Sequence, residues 1–379
     1  MNASARTARV LLPTVAAALL LGACARSGGA AESPAGAPTK PAASPAPTTK
    51  VTGRTPAGTL LVADFGADTV SFVDPAKGAF DSVRVGTAPY GLVVGEDGRA
   101  WVATAEGVAV VDTVARKRIA LVPYETETGR ATTGEYRGGG MGIALSPDGR
   151  QVYVGVNVPG GNGVLEIVDT AKLEVPETVP VGRRPFDVDV SRDGSEVYAT
   201  NHDSFDVTVV PTRSPGDTRR IEVAPYGTEG GLGSWLKPHY TAVRPSDGKL
   251  LLPFEGERLA VVDPRTGRTQ IERMTADTHQ HGAALAPDGS LLVVGTGPID
   301  PSEDKGASLT VRAPDGKERV YELDGPHEDV AVSADGRTAY VTGGFTRDGY
   351  WDGITVVDLD SGDTRRLAAG ERPLGIAVL

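Results

Sequence analysis

The sequence predicts an all-β protein, a seven-bladed β-propeller with four-stranded blades. Three observations lead there. A short Asp-Gly turn recurs, with its Asp at positions 97, 148, 193, 247, 288 and 335, roughly 48 residues apart, slightly above the 40–45 of a four-stranded propeller blade. Each turn separates two β-rich runs. The chain opens its repeats with an incomplete unit and closes with the piece that unit lacks.

Each blade is read as strands A to D, with A innermost. Strand A leads into the turn, as in Pro89-Tyr90-Gly91-Leu92-Val93-Val94, Gly140 to Leu145 and Pro185 to Val190. It starts again at Pro238-His239, Gln280-His281 and His327-Glu328, and a seventh copy ends the chain at Pro373 to Leu379. Glycine accepts the positive φ that a tight hairpin needs, so Asp-Gly marks the A–B turn. Strand B follows as Ala100 to Thr104, Val152 to Val154, Val197 to Thr200 and Ala339 to Thr342. Strand C ends in Asp: Val70 to Asp74, Val108 to Asp112, Leu165 to Asp169, Leu259 to Asp263, Ile354 to Asp358. A more polar strand D completes the unit, as in Thr269 to Arg273. The N-terminal unit, Thr59 to Val85, supplies B, C and D but no A. Pairing it with the C-terminal copy builds blade one from both termini and removes exposed sheet edges.

The remainder of the chain reads differently. Of its 379 residues, 49 are Gly and 28 Pro, which suits many strands joined by tight turns. A formal net charge of −11 argues against nucleic acid and against a basic membrane-binding surface. One Cys leaves no disulfide framework and no Cys-rich metal site, and CxxCH is absent. That Cys has an informative position. Arg6 and Arg9 precede an apolar run from Val10 to Leu21, and Leu21-Gly22-Ala23-Cys24 follows. The run is too short to span a bilayer, which needs roughly 20 residues. It resembles a lipoprotein signal, residues 1–23, with Cys24 as the lipidated residue; an acyl chain there would anchor the protein to the outer face of the cell membrane. Residues 24–55, rich in Ala, Pro, Ser and Thr, read as a flexible linker that cannot bury a core. The propeller is expected over residues 56–379, as a monomer.

The repeat resembles the YVTN-repeat β-propellers. The unit Pro-x-Gly-Val-Ala-Val-Ser-x-Asp-Gly, then Tyr-Val-Thr, then a strand ending in Val-Asp carries the resemblance, and the copies nearest to it are Val188 to Asn201 and Val330 to Thr342. It covers about residues 58 to 379. It implies the fold and leaves function open, since that family includes surface-layer and exported proteins and is related to lactonases and to the propellers of nitrite and nitrous oxide reductases. Fold alone does not assign function.

In an antiparallel blade the A–B and C–D turns share one face, and the B–C loops and D–A crossovers share the other. The insertions fall on the second face: Pro123 to Gly139, Pro225 to Pro238, Thr296 to Ala307 and Gly343 to Gly353. Long loops on a rigid scaffold are where function concentrates. His202, His239, His279, His281 and His327 all map to this face.

Aligned blade by blade, the residues at the channel mouth are Tyr90, Met141, Phe186, His239, His281, Glu328 and Leu374. Imidazole and carboxylate suit Zn²⁺ or Cu²⁺, so His239, His281 and Glu328 are candidate ligands, with His202 as a fourth. Asp187, Asp329 and His279 could orient them. The same residues also fit a repeat that carries His or an aromatic after its Pro. Two positions before the mouth residues lie Arg184, Lys237, His279 and Arg372, a cationic rim for an anionic ligand, with Tyr90, Phe186, Trp235 and Trp351 as apolar walls. Trp101 lies within strand B and is expected between blades.

Three functions remain open on these residues: a binding or scaffold module for an envelope protein or small ligand, a metal-binding protein using Zn²⁺ or Cu²⁺, and a lactonase-like hydrolase with a His/Glu pair. No GxSxG, Walker or dinucleotide motif is present.

Overall fold

The computed structural model describes residues 55–134, 136–223, 237–254, 256–279, 282–297, 299, 306–344 and 349–379. Cys24, Trp235 and His281 lie outside them. Among the described residues 28 strands form seven four-stranded antiparallel sheets. Blade one joins β28 (Pro373–Val378), β1 (Leu60–Asp64), β2 (Thr69–Asp74) and β3 (Gly78–Arg84) in that order. Leu60 faces Val378 and Val62 faces Ile376 across the closing pair. The predicted fold and the closure from both termini are therefore what the chain adopts.

The turns explain the repeat. In each A–B turn the Asp carboxylate accepts the N–H two residues on, as Asp97 does from Arg99 and Asp335 from Arg337. The following Gly98 and Gly336 sit at φ +78° and +74°, where a side chain would be strained. The Asp that ends strand C acts likewise on the C–D turn: Asp112 accepts from Val114 and Ala115, Asp169 from Ala171 and Lys172. Side-chain oxygens that mimic a backbone turn are a known use of Asp.

Strands B and C are buried on both faces because blades stack face to face. Seven apolar clusters lie one between each pair of neighbouring blades. Trp101, 1 % exposed, fills the gap between blades two and three, with Arg99 over its ring at 5.0 Å. An eighth cluster lies apart from the seven, where the innermost strands begin.

Candidate functional site

The innermost strands crowd together where they begin. Four of them carry Gly just after the mouth residue: Gly91, Gly142, Gly282 and Gly375. A Cβ on Gly375 would lie 2.5 Å from the Tyr90 carbonyl oxygen, and one on Gly282 would lie 2.7 Å from Asp329 Cα. Close approach lets neighbouring blades bond directly: Gly375 N–H donates to Tyr90 O and Gly282 N–H to Glu328 O. The other three blades hold Asp187, Tyr240 and Asp329 at this position. Asp187 accepts from Val188 N and from Thr241 N of the next blade; Asp329 accepts from Val330 N and from Ile376 N of blade one. These carboxylates therefore clasp main chain, where the sequence suggested that they orient histidines.

Among the described residues the mouth is filled. Tyr90, Met141, Phe186, His239, Glu328 and Leu374 are each no more than 6 % exposed. Phe65, Ala88, Tyr90, Met141, Phe186 and Leu374 form an apolar plug with Tyr240 packed against it. Its rings meet edge to face: Phe65–Tyr90 at 6.0 Å, Tyr90–Phe186 at 5.5 Å, Phe186–His239 at 4.6 Å and His239–His202 at 4.2 Å. Such edge contacts place a positive ring edge on a negative face. Tyr240 reaches past blade six to donate to Glu328 Oε1 at 3.0 Å. Burial, then the Glu328 charge, hold the Tyr240 hydroxyl well above the usual phenol range.

The structure thus brings His202 and His239 together and sets Glu328 against Tyr240. Among the described residues no three of His, Cys, Asp or Glu cluster so as to ligate one ion. His202 is buried, with Nδ1 2.6 Å from Asp203 Oδ1. Burial pushes its pKa down to about 4, against the pull of Asp203. His327, 0 % exposed, bonds Gly325 O through Nδ1 and Thr355 Oγ1 through Nε2, each at 2.7 Å, and burial brings it to about 4 as well.

The cationic rim is largely engaged. Arg184 and Lys237 both pair with Asp203, at 3.0 and 3.2 Å. Burial opposes ionisation of Asp203, but the His202 hydrogen bond and these two cations hold its carboxyl well below the usual range. Arg372 lies between the rings of Phe65 and Tyr350, 5.1 and 4.8 Å from their centroids. Arg184 is stacked on Tyr136 at 3.8 Å. Tyr136 and Tyr350 are each 55 % exposed. Ala88, Arg184 and Arg372 occupy equivalent crossover positions, each in the left-handed region directly before Pro, at φ 49°, 52° and 49°. Both the side chain and the following Pro disfavour that conformation, so the rim stores strain.

His279 sits two residues beyond Asp277, whose Oδ1 accepts its N–H, and its carbonyl accepts from Thr296. Trp351 packs onto Gly343 and Gly353, with His327 at 5.5 Å and Arg366 at 4.5 Å. Arg137 was not singled out in the sequence. It is 2 % exposed, gives Nη2 hydrogen bonds to the Ala88 and Gly140 carbonyls, and leaves Nε without a partner. Burial lowers its pKa to about 10.

A cavity of about 230 Å³ lies on the axis next to the plug, and its walls include Asp187, Asp189 and Asp329. Burial raises Asp187 to about 6; burial, then the Asp187 charge, raises Asp329 to about 7 and Asp189 well above the usual carboxylate range. Asp189 also went unnoticed in the sequence. Its column is otherwise small and apolar: Val93, Ala144, Ala242, Ala284, Ala331 and Ala377. That break in the column was the signal.

No family model matches the chain, and no curated protein matches it. Solved structures do. The periplasmic gluconolactonase of Pseudomonas aeruginosa is similar at 18 % identity and a TM-score of 0.60, over 85 % of this chain and 99 % of that one. The likeness is one of fold. The β-propeller domain of Cps50 (Swd1) from Myceliophteria thermophila matches at 13 % identity and 0.57, over 76 % and 88 %. Virginiamycin B lyase from Staphylococcus aureus, solved with quinupristin, matches at 13 % and 0.55, over 82 % and 88 %. A gluconolactonase, a lyase and a propeller domain are thus all similar to this chain in fold, and fold alone does not assign function.

Proposed function

We propose that the protein is an exported lipoprotein, anchored through Cys24, whose propeller is a binding module for an envelope partner on the face of the D–A crossovers and B–C loops. The observation that carries this reading is the pair of exposed tyrosines, Tyr136 and Tyr350, stacked on Arg184 and Arg372 above a filled mouth. Tyr, with two side-chain torsions, loses little entropy on binding, and Tyr and Arg are enriched at the centres of protein interfaces. A plug packed by the described mouth residues favours surface contact over a buried reaction centre. The gluconolactonase likeness keeps a hydrolase in view, but Glu328 accepts from Tyr240 and His239 lies edge to face with Phe186.

The test uses the full chain in its native envelope. A photo-crosslinking residue at Tyr136 or Tyr350 should give one discrete adduct, and the same residue at Asp148, in an A–B turn, should give none. Adducts of equal yield from both positions, or from neither, overturn the reading.

A further inference from the structure

We propose that the axial cavity is a cation site, in which Asp187, Asp189 and Asp329 hold one hydrated divalent ion. This does not depend on what the loop face binds. Three carboxylates from blades four and seven line one cavity of about 230 Å³, and none of the described residues around it is Lys, Arg or His.

The three carboxylates are not equivalent. Asp187 and Asp329 each spend both oxygens on backbone N–H groups. Asp189 accepts no hydrogen bond, and its Oδ2 is shut off from solvent with no partner. Asp189 as a whole is half-buried, with Oδ1 left open; a carboxylate oxygen shut off from water without donor or counter-charge is costly, and native structures resolve it by protonation or by a bound cation. Nothing in the fold requires a carboxylate at 189, because the other six blades build the same column from Ala or Val. An acid placed there, on the wall of a cavity that two others also line, is what a cation requires.

The chemistry also selects how the ion is held. No three acids among the described residues converge for direct ligation. The cavity is instead roomy, since a water takes up roughly 30 Å³ in the liquid. An ion with its inner shell of waters fits, and those waters donate to the carboxylates. Mg²⁺ sheds water reluctantly and is commonly held in this way, whereas Ca²⁺ wants six to eight direct oxygens. Access lies away from the plug. The innermost strands run from buried to half-buried along their length, as in Gly139–Leu145 and Pro373–Val378, so the channel opens towards the A–B turns.

The experiment is thermal unfolding of the metal-free full chain in MgCl₂, in CaCl₂, and in NaCl of matched ionic strength. A site that binds only the folded state raises Tm as the ion saturates it. The expected result is a saturable rise of several degrees with Mg²⁺, smaller with Ca²⁺ and absent in NaCl, and lost in both Asp189→Asn and Asp189→Ala. The alanine variant copies the residue that five other blades carry, which guards against a failure to fold. Two results overturn the proposal: no saturable rise above the NaCl control in the wild-type chain, or a rise of equal size in the two variants.

Discussion

At the scale of single residues, burial sets opposite proton preferences in two places. His327 is neutral in the fold, with a pKa near 4 against about 6.5 when unfolded. The unfolded chain therefore binds more protons between those values. The stability contribution is complete above about pH 6.5 and is lost as pH falls towards 4, by about 3 kcal/mol at most. Asp64, at the seam between the two termini, goes the other way. Burial raises it to about 7, although Ser71 and Thr69 donate to its Oδ2. Its contribution is complete below about pH 4 and is lost as pH rises to 7. The two slopes mask each other in the wild-type protein. Each single variant should unmask the other slope: relative to wild type, Tm measured from pH 4 to 8 should tilt downward with rising pH in His327→Asn and downward with falling pH in Asp64→Asn. Parallel profiles for wild type and variants would contradict these assignments. An amide is tolerated at the Asp64 position, since blade four carries Asn201 there, bonded to Asp206 and Thr208. The sequence placed the histidines on one face. It did not reveal their partners, because His327 bonds Thr355 of strand C and His202 shares Asp203 with Lys237, 34 residues on.

At the scale of strands and turns, most of the architecture was legible. The Asp-Gly turns and the Asp ending strand C are local devices, and each acts within two or three residues of itself. What was not legible is whatever depends on the ring closing. Tyr90 and Phe186 lie 96 positions apart yet meet at 5.5 Å, so an open mouth lined with aromatics and a closed plug look the same in sequence. The glycines that follow the mouth residues are the local trace of that crowding. Gly142→Ala should destabilise the fold by about 1–3 kcal/mol, as overpacking does, because its Cβ would overlap the Asp187 main chain. Gly134→Ala, with nothing within 4 Å of its Cβ, is the control and should leave urea unfolding unchanged. Equal effects at both sites would mean that the innermost strands have slack.

At the scale of the molecule, the two ends of the channel differ in chemistry. The crossover end is plugged, and it displays two Arg–Tyr stacks, one of them on the Arg184 that shares Asp203 with Lys237. The cavity beside the plug is acidic and free of basic residues among those described. A binding face of this kind works best when its partner is held nearby, and the proposed lipid on Cys24 would supply that proximity without adding a contact. Lipidation and partner binding then make a linked prediction. Cys24→Ser should move the protein from the membrane fraction to the soluble fraction on ultracentrifugation. It should also lower the crosslinking yield from Tyr136, while the Tm of the propeller stays at its wild-type value. Retention of the variant in the membrane fraction would remove the anchor from the account. Release with an undiminished crosslink would mean that the partner is soluble, and that tethering does nothing for the encounter.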